Sequence, residues 1–245
     1  MTASLTFVGR SLRHSVRSID ALLTAVLLPV AILLMFVYVF GGAIDTNGRY
    51  VDYVVPGIIV LCAGFGSAST AVAVAVDMTT GVIDRFRTLP IASGAVLTGH
   101  VTASVARNVV STSLVIGVAL IAGFRPEPDP LNWLAAAALL LALMTAISWM
   151  AAAFGLLAKT IEGANALTFV AAFAPYVSSA FVPAESMPAG LQWIAEHQPV
   201  TPIVDSVRGL TMGTPLDNEL WIAFAWCATG IVVGRIAAAY LFRQN

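Results

Sequence analysis

The chain alternates long uncharged stretches with short polar ones. Six runs contain no Asp, Glu, Lys or Arg: Ala21 to Ile44, Tyr53 to Val76, Asn108 to Phe124, Pro130 to Ala158, Gly163 to Ala184 and Leu220 to Gly234. Crossing ~30 Å of hydrocarbon takes about 20 helical residues, because each adds about 1.5 Å and closes its backbone hydrogen bonds internally. The runs therefore predict six transmembrane helices, over residues 20–44, 53–77, 95–124, 131–158, 163–183 and 219–242. They are apolar throughout rather than alternating, which argues against the strands of a membrane β-barrel. The third and sixth runs reach full length only by including Arg107 and Arg235, each read as snorkelling toward headgroups. The predicted fold class is all-α: a single polytopic membrane domain over residues 1–245.

Three polar segments carry patterns of their own. Leu5, Val8, Leu12, Val16 and Ile19 share one helix face and Arg10, Arg13, His14 and Arg17 the opposite one, which predicts an amphipathic interfacial helix over residues 1–19. It would lie on the inner leaflet with its arginines at the membrane interface; the alternative reading is a bare orientation signal. Residues 184–215 are too long for a turn and too polar for a span, and predict short, re-entrant or capping outer-face helices. In "QPVTPIVDSVRGLTMG", Thr201 can cap a helix begun by Pro202, with Ile203, Val207 and Leu210 on one face and Gly209 and Gly213 near its end. "SMPAGLQWIAEHQP" predicts a second helix, with Trp193 at the interface. Residues 79–90, "TTGVIDRFRTLP", place Val82, Phe86 and Leu89 at spacings of four and three with Asp84, Arg85 and Arg87 between them. That spacing predicts a short amphipathic helix ended by Pro90.

Composition confirms the solvent. The 245 residues are 59% hydrophobic and 10% charged, with a mean hydropathy of +0.90, against roughly a quarter charged in soluble domains. An ordinary soluble protein is excluded. With a cytosolic N-terminus, six spans put Arg10, Arg13, Arg17, Arg85, Arg87, Lys159 and Arg243 inside and only Arg49, Arg125 and Arg208 outside, as the positive-inside bias expects. The expected location is the cytoplasmic membrane, with both termini cytosolic. A net charge of −1 gives no reason to expect nucleic acid as a partner. Cys62 and Cys227 sit in separate apolar runs and supply neither a disulfide framework nor a metal site. The first run begins after residue 20 and exceeds the about 7–15 residues of a signal core, so it is expected to stay in the mature protein.

The segment "GVIDRFRTLPI" resembles the cytosolic loop of ABC-2 type transporter permeases, in particular the daunorubicin-resistance-like efflux subgroup, in which a Gly, two residues, an acid and an Arg precede Leu-Pro. "QPVTPIVDSVRGL" is similar to the same family's segment before its last span through Pro199, Thr201 and Arg208, with Pro202 departing where the family often has an aromatic residue. The resemblance implies a permease subunit of an exporter for a hydrophobic or amphiphilic drug or lipid. It implies pairing with a second permease, identical or related, over two copies of an ABC ATPase subunit. That ATPase, rather than this chain, would use ATP and Mg. The sequence contains no G-x-x-x-x-G-K-[ST] phosphate cradle and no catalytic constellation, consistent with a non-enzymatic subunit. Residues 79–90 become the coupling helix: Gly81 its entry hinge, Val82, Phe86 and Leu89 its docking face, Asp84, Arg85 and Arg87 its polar contacts, and Pro90 its end. The alternative is an inner loop whose arginines serve only orientation.

Several further residues invite a role. Gly64, Ser67 and Thr70 would permit close packing of the second span. Pro175, near Tyr176, Ser178 and Ser179, predicts a kink in the fifth. Phe65, Phe169, Phe173 and Tyr176 are candidates to line a substrate path, the alternative being packing against lipid or neighbouring spans. Asp77 reads as an interfacial charge, or a partner of Arg85 or Arg107, and His100 as solvated or hydrogen-bonded. The competing function is an ATPase-independent membrane scaffold or assembly protein using the same basic loop.

Overall fold

The computed structural model describes residues 19–43, 48–80, 94–127, 129–158, 160–216 and 218–244. The N-terminal segment 1–18 and residues 81–93 lie outside them, and with them the expected interfacial and coupling helices, except that Ile19 opens the first described helix and Thr79 and Thr80 end the second rather than starting a new one. The described residues are helical and contain no strand.

Helix α1 spans Ile19–Leu34 and continues as a π-helical turn over Met35–Phe40. Helix α2, Tyr50–Thr79, is the longest, at 30 residues. Helix α3 covers Gly94–Ile121 and α4 Pro130–Leu157. The start of α4 follows from local chemistry: Asp129 accepts from the Leu131 amide at 3.1 Å, and Pro130 occupies the first turn, where a missing N–H costs nothing. Helix α5 is short, Ile161–Ala172, and is followed by 3₁₀ turns at Ala174–Val177 and Ala184–Ser186. Helices α6, Ala189–His197, and α7, Val200–Met212, precede α8, Glu219–Gln244.

Four of these helices, α2, α3, α4 and α8, are long and apolar enough to cross a membrane. The fifth predicted span differs. Regular helix stops at Ala172, and Pro175 opens a 3₁₀ turn instead of kinking a continuous helix. Proline lacks the N–H needed to extend the ladder and its ring crowds the preceding turn.

Helix α2 is the centre of the bundle. Every residue from Val54 to Ala63 is buried, whereas α8 buries only 22% of its apolar stretch and turns the rest outward. Such outward faces, with Trp221, Val232, Ile236 and Tyr240 exposed, are what a lipid-facing helix requires. Close helix approach depends on glycines other than the expected Gly64, which has open space around it. A Cβ on Gly57 would lie 2.5 Å from the Ala180 carbonyl oxygen, and one on Gly234 would lie 3.0 Å from the α4 backbone at Trp149 and Met150.

The bundle has two distinct ends. At one, Arg49 pairs with Asp52 at 2.7 Å, the Arg125 amide donates to Asp52, and the Glu127 amide donates to the Thr211 carbonyl at 2.9 Å. Helices α6 and α7 close over this end. At the other, Val74, Leu97, Val101, Ala152, Leu156, Ala238 and Phe242 form a separate apolar cluster joining α2, α3, α4 and α8.

Candidate functional site

Ile203, Val207 and Leu210 bury one face of α7, and this sets the direction of its neighbour Arg208. The guanidinium donates to the Tyr53 carbonyl at 3.2 Å and the Ser179 carbonyl at 2.8 Å, pairs with Asp205 at 2.5 Å, and lies 3.9 Å over the Tyr53 ring. Tyr53 donates its hydroxyl to the same Ser179 carbonyl at 2.8 Å, and the Ser179 hydroxyl donates to Asp205 at 2.8 Å. One side chain thus fastens α7, the 178–181 turn and the start of α2. A cavity of about 550 Å³ opens beside this hub, lined by residues that include Tyr53, Glu185, Glu196, Asp205, Arg208 and Trp226. Thr201 sits inside α7 rather than capping it; Pro199 precedes the helix with no side-chain cap, and the Thr201 hydroxyl donates back to the Ala195 carbonyl.

At mid-bundle a second polar group is fully enclosed. The Asn108 amide nitrogen donates to the Ser67 hydroxyl at 2.9 Å, and Ser67 in turn donates to the Ala63 carbonyl. Ser148 donates to Ser104 at 2.9 Å and lies 3.4 Å from Ser67. The network therefore ties α2, α3 and α4. Asn108 Oδ1 rests against the Cα of Gly66, where any side chain would collide with it. Arg107 does not snorkel: its guanidinium turns inward, 3.5 Å from the Thr70 hydroxyl.

The opposite end has one described ion pair. His100 Nε2 lies 2.8 Å from Asp77 Oδ2, both side chains mostly covered. Among the described residues the partner of Asp77 is His100, brought to it by α3, while Arg107 reaches Thr70 and Arg85 lies outside the described residues.

The coupling residues Gly81, Val82, Asp84, Arg85, Phe86, Arg87, Leu89 and Pro90, and the interface arginines Arg10, Arg13 and Arg17, lie outside the described residues. Of the four aromatic path candidates, Phe173 and Tyr176 come together at 5.7 Å. Phe181 stacks on Tyr176 at 5.2 Å and on Phe36 at 4.5 Å, so the aromatic wall includes two rings that the sequence pattern did not single out. Phe65 lies elsewhere, packed against the main core about 18 Å along α2 from Tyr53. The side chain of Phe169 is outside the described set. Sequence reading also missed Ser104, Asn108 and Ser148. The available signal was the spacing of Ser104, Arg107, Asn108 and Ser111, which places four polar residues on one face of α3.

A bundle of long apolar helices with lipid-facing exteriors, closed at one end by short helices and pinned by internal polar networks, defines a multi-pass membrane protein. The chain matches the ABC-2 type transporter family over residues 2–212 and belongs to it. It is 31% identical to a daunorubicin resistance ABC transporter permease protein of Streptomyces coeruleorubidus, over 87% of this chain and 76% of that protein. It is 25% identical to a probable doxorubicin resistance ABC transporter permease protein of Mycobacterium tuberculosis, over 96% of this chain and 86% of that protein.

Proposed function

We propose that this chain is the permease subunit of an exporter that moves a hydrophobic or amphiphilic drug or lipid across the cytoplasmic membrane, driven by ATP hydrolysis on a separate ATPase. The observation that carries the reading is the likeness, over most of both chains, to a permease named for daunorubicin resistance. The 245 residues hold no phosphate-cradling loop, so the energy source lies in a partner. Two such permeases, identical or related, would stand over two ATPase subunits, with residues 79–90 as the coupling contact. Of the aromatic cluster, Phe173 and Tyr176 are exposed and would be the rings to meet such a cargo, with Phe181 buried behind them.

In this reading the chain crosses the membrane six times. Four crossings are α2, α3, α4 and α8, and α1 with its π-helical extension is the first. The fifth is the broken segment from Ile161 to Ala180. It packs near Ala71 and Ala75 at Ala164 and beside Gly57 at Ala180, which are separated by about 21 Å along α2. The end closed by α6 and α7 then faces outward, and the Asp77–His100 end faces the cytosol. The chain purified from membranes should carry an ATPase subunit with it. Replacing Phe86→Ala and Arg87→Ala together should remove that ATPase while insertion stays normal; an ATPase that remains bound to the double mutant overturns the coupling assignment and favours the scaffold reading.

A further inference from the structure

The seam between α2 and α3 is crossed by three polar contacts. Asp77 meets His100 at 2.8 Å; seven residues further along each helix, Thr70 meets Arg107 at 3.5 Å; just beyond, Ser67 meets Asn108 at 2.9 Å. Seven residues are about two helical turns, or about 10.5 Å, so the contacts fall on one line down the facing sides of two antiparallel helices. The line begins two residues before α2 ends at Thr79 and ends at the junction where Ser148 brings in α4. Between the first two pins Val74 and Val101 are buried. Apolar contact is non-directional and permits helices to slide. A hydrogen bond loses most of its strength once its distance or angle is disturbed, so pins at both ends of the seam oppose sliding and separation.

We propose that this pinned seam makes α2 and α3 a single rigid strut that carries displacement from the segment joining them to the α2–α3–α4 junction at mid-bundle, with Asp77 and His100 as its positioning residues. The inference rests on the reading of residues 79–90 as the ATPase contact. Both helices that flank that contact are held at fixed spacing and register by the Asp77–His100 pair. Without the pair the two flanks would respond separately, and motion would dissipate before reaching Ser67, Asn108 and Ser148.

The test places spin labels at Thr79→Cys and Thr102→Cys, both exposed, in a background with the buried Cys62 and Cys227 replaced by alanine. The labelled chain is studied in lipid nanodiscs, alone and with the co-purifying ATPase, without nucleotide and trapped with ATP. The wild-type pair should give one narrow distance that is the same in every state. Asp77→Ala should broaden it about twofold, as expected of a locally loosened element, and make its centre depend on nucleotide. Asp77→Asn, which still hydrogen-bonds His100, should behave as wild type. If Asp77→Ala inserts poorly, His100→Leu should reproduce its broadening. A distribution as narrow in the alanine or leucine variant as in wild type, or a wild-type distance that changes between nucleotide states, overturns the strut. If no ATPase co-purifies with the unlabelled wild-type chain, it is the functional reading that fails, while the width measured on the labelled chain alone still decides the seam.

Discussion

Arg208→Ala removes the side chain that joins three segments at the α6–α7 end. The guanidinium is 17% exposed and makes two hydrogen bonds to carbonyls and one to Asp205. Hydrogen bonds to charged groups are worth about 1.5–3 kcal/mol each, but they share one cation and do not add. Asp205, 26% exposed, recovers part of its hydration once the arginine is gone, so the net loss should fall near about 3 kcal/mol, at the lower edge of what breaking a buried pair costs. For a chain of this size about 1 kcal/mol corresponds to about 2–4 °C, which gives a fall in melting temperature of about 6–12 °C for the purified chain. Arg208→Lys keeps the charge but not the fork that spans Asp205 and the Ser179 carbonyl, and should lose roughly half as much. Combining Asp205→Ala with Arg208→Ala should cost less than the two single changes together, because neither then leaves an uncompensated charge. A melting temperature for Arg208→Ala within about 2 °C of wild type would refute the hub.

Other perturbations read different parts of the fold. Gly57→Val drives a side chain into the Ala180 backbone and should destabilise by about 1–3 kcal/mol, visible as a lower melting temperature and faster proteolysis near residue 180. Asn108→Ala removes the link to Ser67 and opens space beside Gly66, with an expected loss of about 1–3 kcal/mol by the same melting assay. Gly213→Ala places a side chain at a φ of +68° against Glu127 and should cost about 1 kcal/mol or more. A cysteine at Thr88 should react with an impermeant reagent only when the cytosolic side is opened; labelling in sealed cells would reverse the orientation.

The long apolar helices were legible in the sequence because burial in hydrocarbon imposes both length and uniform apolarity, and such runs need no knowledge of their neighbours. The α7 face of Ile203, Val207 and Leu210 was legible by helical periodicity and is buried. Less was visible where a residue's role depends on which helix faces it. Arg107 and Arg235 look alike in sequence, yet Arg107 turns inward to Thr70 while Arg235 lies exposed, 6.0 Å from the Trp149 ring. Asp77 meets His100 only because α2 and α3 pair antiparallel, a contact between positions 23 residues apart that the local pattern does not show.

Solvent preference, then, belongs to the sequence alone: a chain with so few charges, arranged in runs of membrane length, has no stable alternative to helices in lipid. Tertiary packing decided where polar groups found partners. A hydrogen bond is short and directional, so whether Arg208 reaches the Ser179 carbonyl, or Asn108 reaches Ser67, depends on helix register and separation to within about 1 Å. Those quantities are set by glycine contacts such as Gly57 on Ala180 and Gly66 on Asn108, pairings between positions far apart in the chain that no local pattern encodes.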